Sequence, residues 1–275
     1  MIKVTIQDFT GVYAEQPFMQ ELRRSATADG EIRWFDCTQI DGSDCYCDDE
    51  AQAILGQQIE SVGNNTIGIH FFDNGNYHYM SKLWTDCVQE PFDLVVFDHH
   101  PDMQPPRFEG ILSCGGWIKE VLDHNKFVQN VTVIGVADHL VEEIREDLTQ
   151  ANAAEILNRV TFIRESELKK HPENLSSLIC SELASVLSSN IYLSIDKDAL
   201  NTQEAATNWD QGSLTFEQLA NTLQILAQNH KILGIDICGE RARDMGFEDT
   251  AAADALNNAL NEKLFRMLTG LHGIQ

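Results

Sequence analysis

The sequence predicts a three-layer α/β/α sandwich with a mostly parallel central sheet. Three observations carry that expectation. Short apolar runs rich in Val, Ile and Phe recur between amphipathic stretches, as buried parallel strands do between helices. No Pro-, Gly- or Ser-rich linker interrupts the 275 residues, so residues 1–275 are expected to form one domain with a sizeable core. Two of the apolar runs end in clustered acids, and doubly wound sheets gather their sites at strand carboxyl ends.

Taken in order, the expected strands are Ile2 to Ile6, Thr66 to Phe72, Phe92 to Asp98, Val131 to Val136, Val160 to Ile163, Asn190 to Ile195 and Ile232 to Ile237. A helix is expected from Ala51, after the polar, acidic segment Asp41 to Asp49. Thr215-Phe216-Glu217-Gln218 has the spacing of a capping box and opens a helix with Leu219, Leu223 and Leu226 on one face. Near the end, Leu256, Leu260, Leu264, Met267, Leu268 and Leu271 recur at helical spacing, which predicts a helix packed on the sheet.

Composition narrows the partners. The 43 Asp and Glu against 19 Lys and Arg give a formal charge of -24, which argues against nucleic acid or an anionic membrane and favours a cationic ligand. Most of these carboxylates serve solubility, so only clustered ones are informative. Seven cysteines, an odd number, follow a start (Met1-Ile2-Lys3-Val4) without signal-peptide character, and a reducing cytoplasm is expected. Cys45 and Cys47 are too close for a zinc knuckle. No apolar run reaches the roughly 18 residues a membrane helix needs.

The apolar run Phe92 to Phe97 leads into Asp98-His99-His100-Pro101-Asp102. Side chains alternate along an extended chain, so Asp98, His100 and Asp102 are expected on one side and His99 on the other. The run ending at Ile195 leads likewise into Asp196-Lys197-Asp198. Taken alone, either triplet equally suits a helix cap or a solvated turn. Together they offer four carboxylates, whose mutual repulsion forces some to protonate unless cations hold them. Carboxylate with imidazole suits a divalent ion, Mn²⁺ first, with Fe²⁺, Co²⁺ or Ni²⁺ as alternatives. Two such ions about 3.5–4 Å apart would lower the pKa of a shared water and direct it at an electrophilic carbon.

These motifs resemble those of the ureohydrolase superfamily, which includes arginase, agmatinase and formiminoglutamase. Asp98-His99-His100-Pro101-Asp102 matches its Asp-x-His-x-Asp signature, and Ser194-Ile195-Asp196-Lys197-Asp198 resembles its Ser-x-Asp-x-Asp. Gly212-Ser213-Leu214-Thr215 is similar to its Gly-Gly-Leu-Thr, and Asn74-Gly75-Asn76-Tyr77-His78 to its Gly-Gly-(Asp/Asn)-His. The matches run in family order from about residue 68 to 240. The resemblance implies an arginase-like fold and two metal ions. One would be held by His78, Asp98, Asp102 and Asp196, the other by His100, Asp98, Asp196 and Asp198, with Asp98 and Asp196 bridging. His70, at the end of an expected strand, is the alternative to His78.

Departures from the pattern fall around the cage. Cys114, in Ser113-Cys114-Gly115-Gly116-Trp117, stands where arginases carry a proton-shuttling His, and it is equally read as a small buried residue at a glycine turn. Gln104, followed by Pro105-Pro106, replaces the Asn that binds the α-carboxylate of free arginine. Alignment on Asp236-Ile237 puts Gly239 where the family has a Glu that contacts the guanidinium, and a one-residue bulge would substitute Glu240. Glu240 is equally a strand-end acid. The catalytic candidates are therefore Asp102, Cys114 and Glu240, with Glu240 and Gln104 as substrate contacts.

The expected activity is hydrolysis of a guanidino group to urea and an amine. With the amino-acid clamp altered, the substrate is expected to be an arginine within a peptide, giving ornithine residues, as in the atypical peptide arginases. The alternatives are free arginine, agmatine or a related guanidino compound, a metal-dependent deacetylase, and a noncatalytic binding homologue. A homo-oligomer is compatible with the resemblance.

Overall fold

The structure, a computed structural model, describes residues 2–27, 30–63, 68–105, 110–170, 181, 183, 187–242 and 250–271. Thr66, Pro106 and Cys180 lie outside these residues. Among the described residues there are ten strands: β1 (Lys3–Asp8), β2 (Ile32–Asp36), β3 (Tyr46–Cys47), β4 (Gly68–Phe72), β5 (Phe92–Phe97), β6 (Leu112–Ser113), β7 (Val128–Val136), β8 (Val160–Arg164), β9 (Asn190–Asp196) and β10 (Lys231–Cys238). Eight of them form one sheet in the order β2-β1-β4-β10-β9-β5-β7-β8, and every neighbouring pair is parallel. The short β3 and β6 pair antiparallel beside it. Every expected strand is thus present, within a few residues. The edge strand β2 was not among them, because its sequence IRWFD has a half-exposed pattern with no buried apolar run.

The sheet is buried on both faces because successive side chains point to opposite sides. Val95 and Phe97 of β5 join a core with Leu22, Leu219, Leu223, Leu226, Leu260, Leu264 and Leu268. Those leucines belong to the helices Pro17–Ser25, Phe216–Asn229 and Thr250–Thr269. Leu94 and Val96 face the other way, into a core with Leu55, Trp84, Trp117, Val121, Val141 and Ile144. That layer contains Asp49–Ser61, Met80–Thr85, Trp117–His124 and Asp138–Gln150. The capping box is present, with Thr215 accepting from the Gln218 amide while the Gln218 side chain reciprocates.

In the last helix, two asparagines share the buried face with the leucines. Asn257 brackets the backbone of Ala206, accepting from its N–H and donating to its carbonyl. Asn261 donates to Gln16 and to Glu240. Glu240 is wholly buried and pairs with the equally buried Lys197, whose neighbours in sequence are Asp196 and Asp198. Gln16 donates to the second Glu240 oxygen at 2.9 Å. This network ties the ends of β9 and β10 to two helices of one layer, Pro17–Ser25 through its N-cap Gln16 and Thr250–Thr269 through Asn261.

A buried pair contributes little net stability, yet removing one partner strands the other charge in an apolar interior. Lys197→Met is therefore expected to cost roughly 3–5 kcal/mol in urea unfolding. A loss below about 1 kcal/mol would mean that Glu240 is satisfied without the ammonium.

Candidate metal centre

Four adjacent strands, β4, β10, β9 and β5, deliver the site from their carboxyl ends. After β4 the chain turns at Asp73, whose carboxylate accepts from the amides of Phe9, Thr10 and Asn74. A single 3₁₀ turn, Gly75–Tyr77, then delivers His78. Asn74 caps that turn by accepting from the Asn76 amide at 2.7 Å. After β5 the chain leaves extended geometry at once, and Asp102 adopts a positive φ of 46°. Such a conformation is costly for a non-glycine residue and concentrates at functional sites. After β9, Asp196 Oδ1 accepts from the Asp198 amide at 2.9 Å and so sets a one-turn 3₁₀ segment, Lys197–Ala199.

The side chains of these segments converge. His78 Nδ1 lies 3.0 Å from Asp102 Oδ2, 3.2 Å from Asp98 Oδ2 and 3.6 Å from Asp196 Oδ2. His100 Nδ1 lies 2.9 Å from Asp198 Oδ2 and 3.5 Å from Asp98 Oδ1. Asp98 thus offers one oxygen to each imidazole. His99 points away, with Nδ1 3.2 Å from the Gly135 carbonyl, while its amide donates to Asp198. All six expected ligand positions meet in one place. His70 does not join them: it stacks on Trp84 and pairs with Asp236 at 2.8 Å inside the sheet.

The donors fit divalent cations. His78 Nδ1 and Asp98 Oδ2 are buried, face each other at 3.2 Å and make no well-aligned hydrogen bond, an arrangement that a cation between them would complete. Among the described residues three donor groups lie within ligand reach, His78 with Asp98 and Asp102, Asp98 with His100 and Asp198, and His78 with Asp196 and Cys238. Outer contacts orient them, as ligating imidazoles and carboxylates require. Ser194 Oγ lies 2.9 Å from His78 Nε2 and 2.8 Å from Ser81 Oγ, which leaves His78 Nδ1 facing the carboxylates. The Trp117 indole donates to Asp102 Oδ2 at 2.8 Å.

Without cations this cluster is held by protons. Burial, then the Asp198 charge, pushes the Asp196 carboxyl up to about 7, and burial with the Asp98 charge raises Asp198. For His100, burial favours the neutral ring but the Asp198 and Asp98 carboxylates outweigh it and raise the imidazole to about 12. Bound cations would displace these protons.

The cluster forms the floor of a cavity of about 390 Å³, lined also by Cys45, Tyr46, Gln104, Cys114, Glu143, Asp147 and Trp209. Gln104 and Cys114 therefore stand where the sequence put them. The thiol of Cys114 does not suit a base, because the Cys45 thiol, burial and the Asp102 charge all push its pKa far above the ordinary range. It keeps its proton at neutral pH.

Glu240 corrects an expectation. The bulge that would turn it toward substrate is absent, and its carboxylate is fully committed to Lys197, Gln16 and Asn261, outside the cavity lining. Gly239 leaves no alternative. It has a φ of +98°, and a Cβ there would stand 2.4 Å from Asp196 Oδ1. Only glycine fits against that carboxylate. Sequence reasoning also assigned no role to Ser81, Ser194, Trp117, Lys197, Trp209 or Cys238. The alternation of the β9 run was the one available signal, since it turns Ser194 and Asp196 to the same face.

Residues 63–254 match the model of the Arginase family. The chain belongs to the arginase family. An uncharacterized protein of Thermotoga maritima is 28% identical over 241 residues, covering 86% of this chain and 79% of that one. Arginase from Medicago truncatula superposes with a TM-score of 0.60 at 18% identity, over 96% of this chain and 87% of that one. Trypanosoma cruzi formiminoglutamase, solved with Mn²⁺, gives 0.61 at 13% identity, over 97% and 94%. At these identities the two structures bear on the fold. Among the described residues no helix is long and apolar enough to cross a membrane.

The titrations give a signed prediction. An Asp raised to about 7 when folded, against about 3.9 unfolded, binds more protons in the native state, so its stabilisation is present at low pH and lost as pH rises through about 7. The raised His100 acts in the same direction between about 6.5 and 12. Metal-free protein should therefore melt at a lower temperature at about pH 8 than at about pH 5, while the increase caused by Mn²⁺ should be larger at the higher pH. Thermal unfolding at both pH values checks this, and a Mn²⁺ effect that shrinks with rising pH would contradict it.

Proposed function

We propose that this arginase-family protein is a two-metal ureohydrolase that acts on an arginine side chain within a peptide, releasing urea and leaving ornithine. The observation that carries the reading is the pair of donor clusters joined through Asp98 on the floor of an acid-lined cavity. His78, Asp98, Asp102 and Asp196 are the proposed ligands of one ion, and His100, Asp98, Asp196 and Asp198 of the other. Bound there, two divalent ions, Mn²⁺ first among candidates, supply Lewis acidity and a water of lowered pKa.

The chain's own groups account for the rest. Water supplies the oxygen to the guanidino carbon, the bond from that carbon to the side-chain nitrogen breaks, and the departing amine takes up a proton. Asp102, held by the Trp117 indole, is positioned to move that proton. Cys114 stands in the cavity wall, where the Cys45 thiol and burial favour its protonated form. With Glu240 turned inward, the guanidinium is left to Trp209, a 44% exposed indole held by Asn76 at 3.0 Å, and to the exposed acids Glu143 and Asp147. An aromatic face and nearby carboxylates both attract a planar cation.

A peptide substrate is favoured by what the rim lacks and what it exposes. Gln104 stands in place of an α-carboxylate clamp, while Tyr46 and Trp209 are large apolar groups left open at the mouth. Free guanidino compounds are the second reading, supported by the arginase likeness above. Mn²⁺-loaded protein is to be incubated with free arginine, agmatine and arginine-containing peptides, and urea measured. Urea from peptides at a kcat/KM at least roughly tenfold above free arginine is expected, equivalent to about 1.4 kcal/mol of transition-state binding. A preference for free arginine or agmatine overturns the peptide assignment, and no urea from any of them overturns the ureohydrolase reading.

A further inference from the structure

Cys238 ends β10 and is wholly buried, yet neither the proposed reaction nor the core requires a thiol there. In the sheet it stands in register with Asp196. Its Sγ lies 3.2 Å from Asp196 Oδ2, the same oxygen that faces His78 Nδ1 at 3.6 Å. The thiol, that oxygen and a His78 ring nitrogen all lie within 4.8 Å of one another. Donors bound about 2.0–2.3 Å from one ion are separated by roughly 3–4.6 Å, so this spacing is that of a shared cation. The independent sign of a ligand is His78 Nδ1, buried and aimed into the same space, where it faces three carboxylate oxygens at 3.0–3.6 Å without a well-aligned hydrogen bond to any of them.

We infer that Cys238 is a thiolate ligand of the ion assigned to His78, Asp98, Asp102 and Asp196, so that this half of the centre admits Mn²⁺ but holds a softer divalent cation more tightly than the other half does. The inference rests on the two-ion reading above. On binding, the S–H proton leaves to solvent and sulfur joins the carboxylate and imidazole donors. A soft donor shifts preference from Mn²⁺ toward Zn²⁺, Co²⁺ or Fe²⁺, whereas the second cluster keeps only oxygen and nitrogen. The two sites would then differ in metal preference, the one with sulfur holding its ion more tightly. Gly239 enforces the arrangement, since its Cβ-free backbone lies against Asp196 and brings the end of β10 to the carboxylate.

The test is cobalt substitution of the full chain. Metal-stripped protein is loaded with Co²⁺, the bound metal is counted by elemental analysis, and the near-ultraviolet spectrum is recorded for thiolate-to-cobalt charge transfer. The expected result is a charge-transfer band that saturates with the first equivalent, is lost in Cys238→Ser and is kept in Cys37→Ser, a buried thiol hydrogen-bonded to Gln58. Should Cys238→Ser fail to fold, Cys238→Ala serves as the second variant in which the band must disappear, and a wild type that binds two Co²⁺ without the band decides against the inference with no variant at all. Two bound Co²⁺ ions without the band overturn the ligand assignment and leave the two-ion reading standing, Cys238 then being only a hydrogen-bond donor to Asp196. Absence of bound Co²⁺ overturns both, and a band that survives Cys238→Ser assigns the sulfur elsewhere and overturns this inference.

Discussion

Repulsion among Asp98, Asp102, Asp196 and Asp198 is the constraint around which the protein is organised. These carboxylates are buried together, with two imidazoles among them. Like charges at such range cannot all ionise unless positive charge enters, so the native arrangement is complete only with protons or cations in place. The parallel sheet provides the means of holding them. Its central strands end side by side, and β4 and β9 each continue into a one-turn 3₁₀ segment that carries ligand positions. The cost of gathering the acids is carried by the rest of the fold, through two cores that clamp the sheet from both faces.

Next to this cluster is a second buried charge pair whose purpose is mechanical. Lys197 lies between two of the acids in sequence but points the opposite way, into Glu240, to which Gln16 and Asn261 also donate. The 3₁₀ segment after β9 is thereby fixed from behind while Asp196 and Asp198 face the cavity. The same interaction removes Glu240 from the substrate side, so support for the metal ligands and recognition of a guanidinium compete for one carboxylate. In this protein support takes it, and under the proposed function recognition would pass to the exposed indole of Trp209 and the acids of the helix Asp138–Gln150.

Much of this was legible in the sequence, for identifiable reasons. Buried parallel strands are continuous apolar runs, and β5, β7, β9 and β10 read as such. The convergence of His78 with the acids was implied by the resemblance to the family's signatures, each of which sits at a strand end. What could not be read is what depends on direction. Nothing in the string Cys238-Gly239-Glu240 says that Gly239 takes a positive φ against Asp196, which sends Cys238 toward the ligands and Glu240 away. The partially exposed edge strand β2 lacked a hydrophobic pattern, and Asn257 and Asn261 break a leucine stripe because they serve backbone and carboxylate partners far away in sequence.

The central claim is that one carboxylate, Asp98, joins two donor clusters into a single two-ion centre. Counting bound Mn²⁺ by elemental analysis after equilibrium dialysis, in wild type and in Asp98→Asn, tests it most directly. The account predicts two ions per wild-type chain and fewer than one in the variant, since each cluster loses the oxygen that closes it. Unchanged metal content in Asp98→Asn, or a wild-type chain that takes up none, would contradict it.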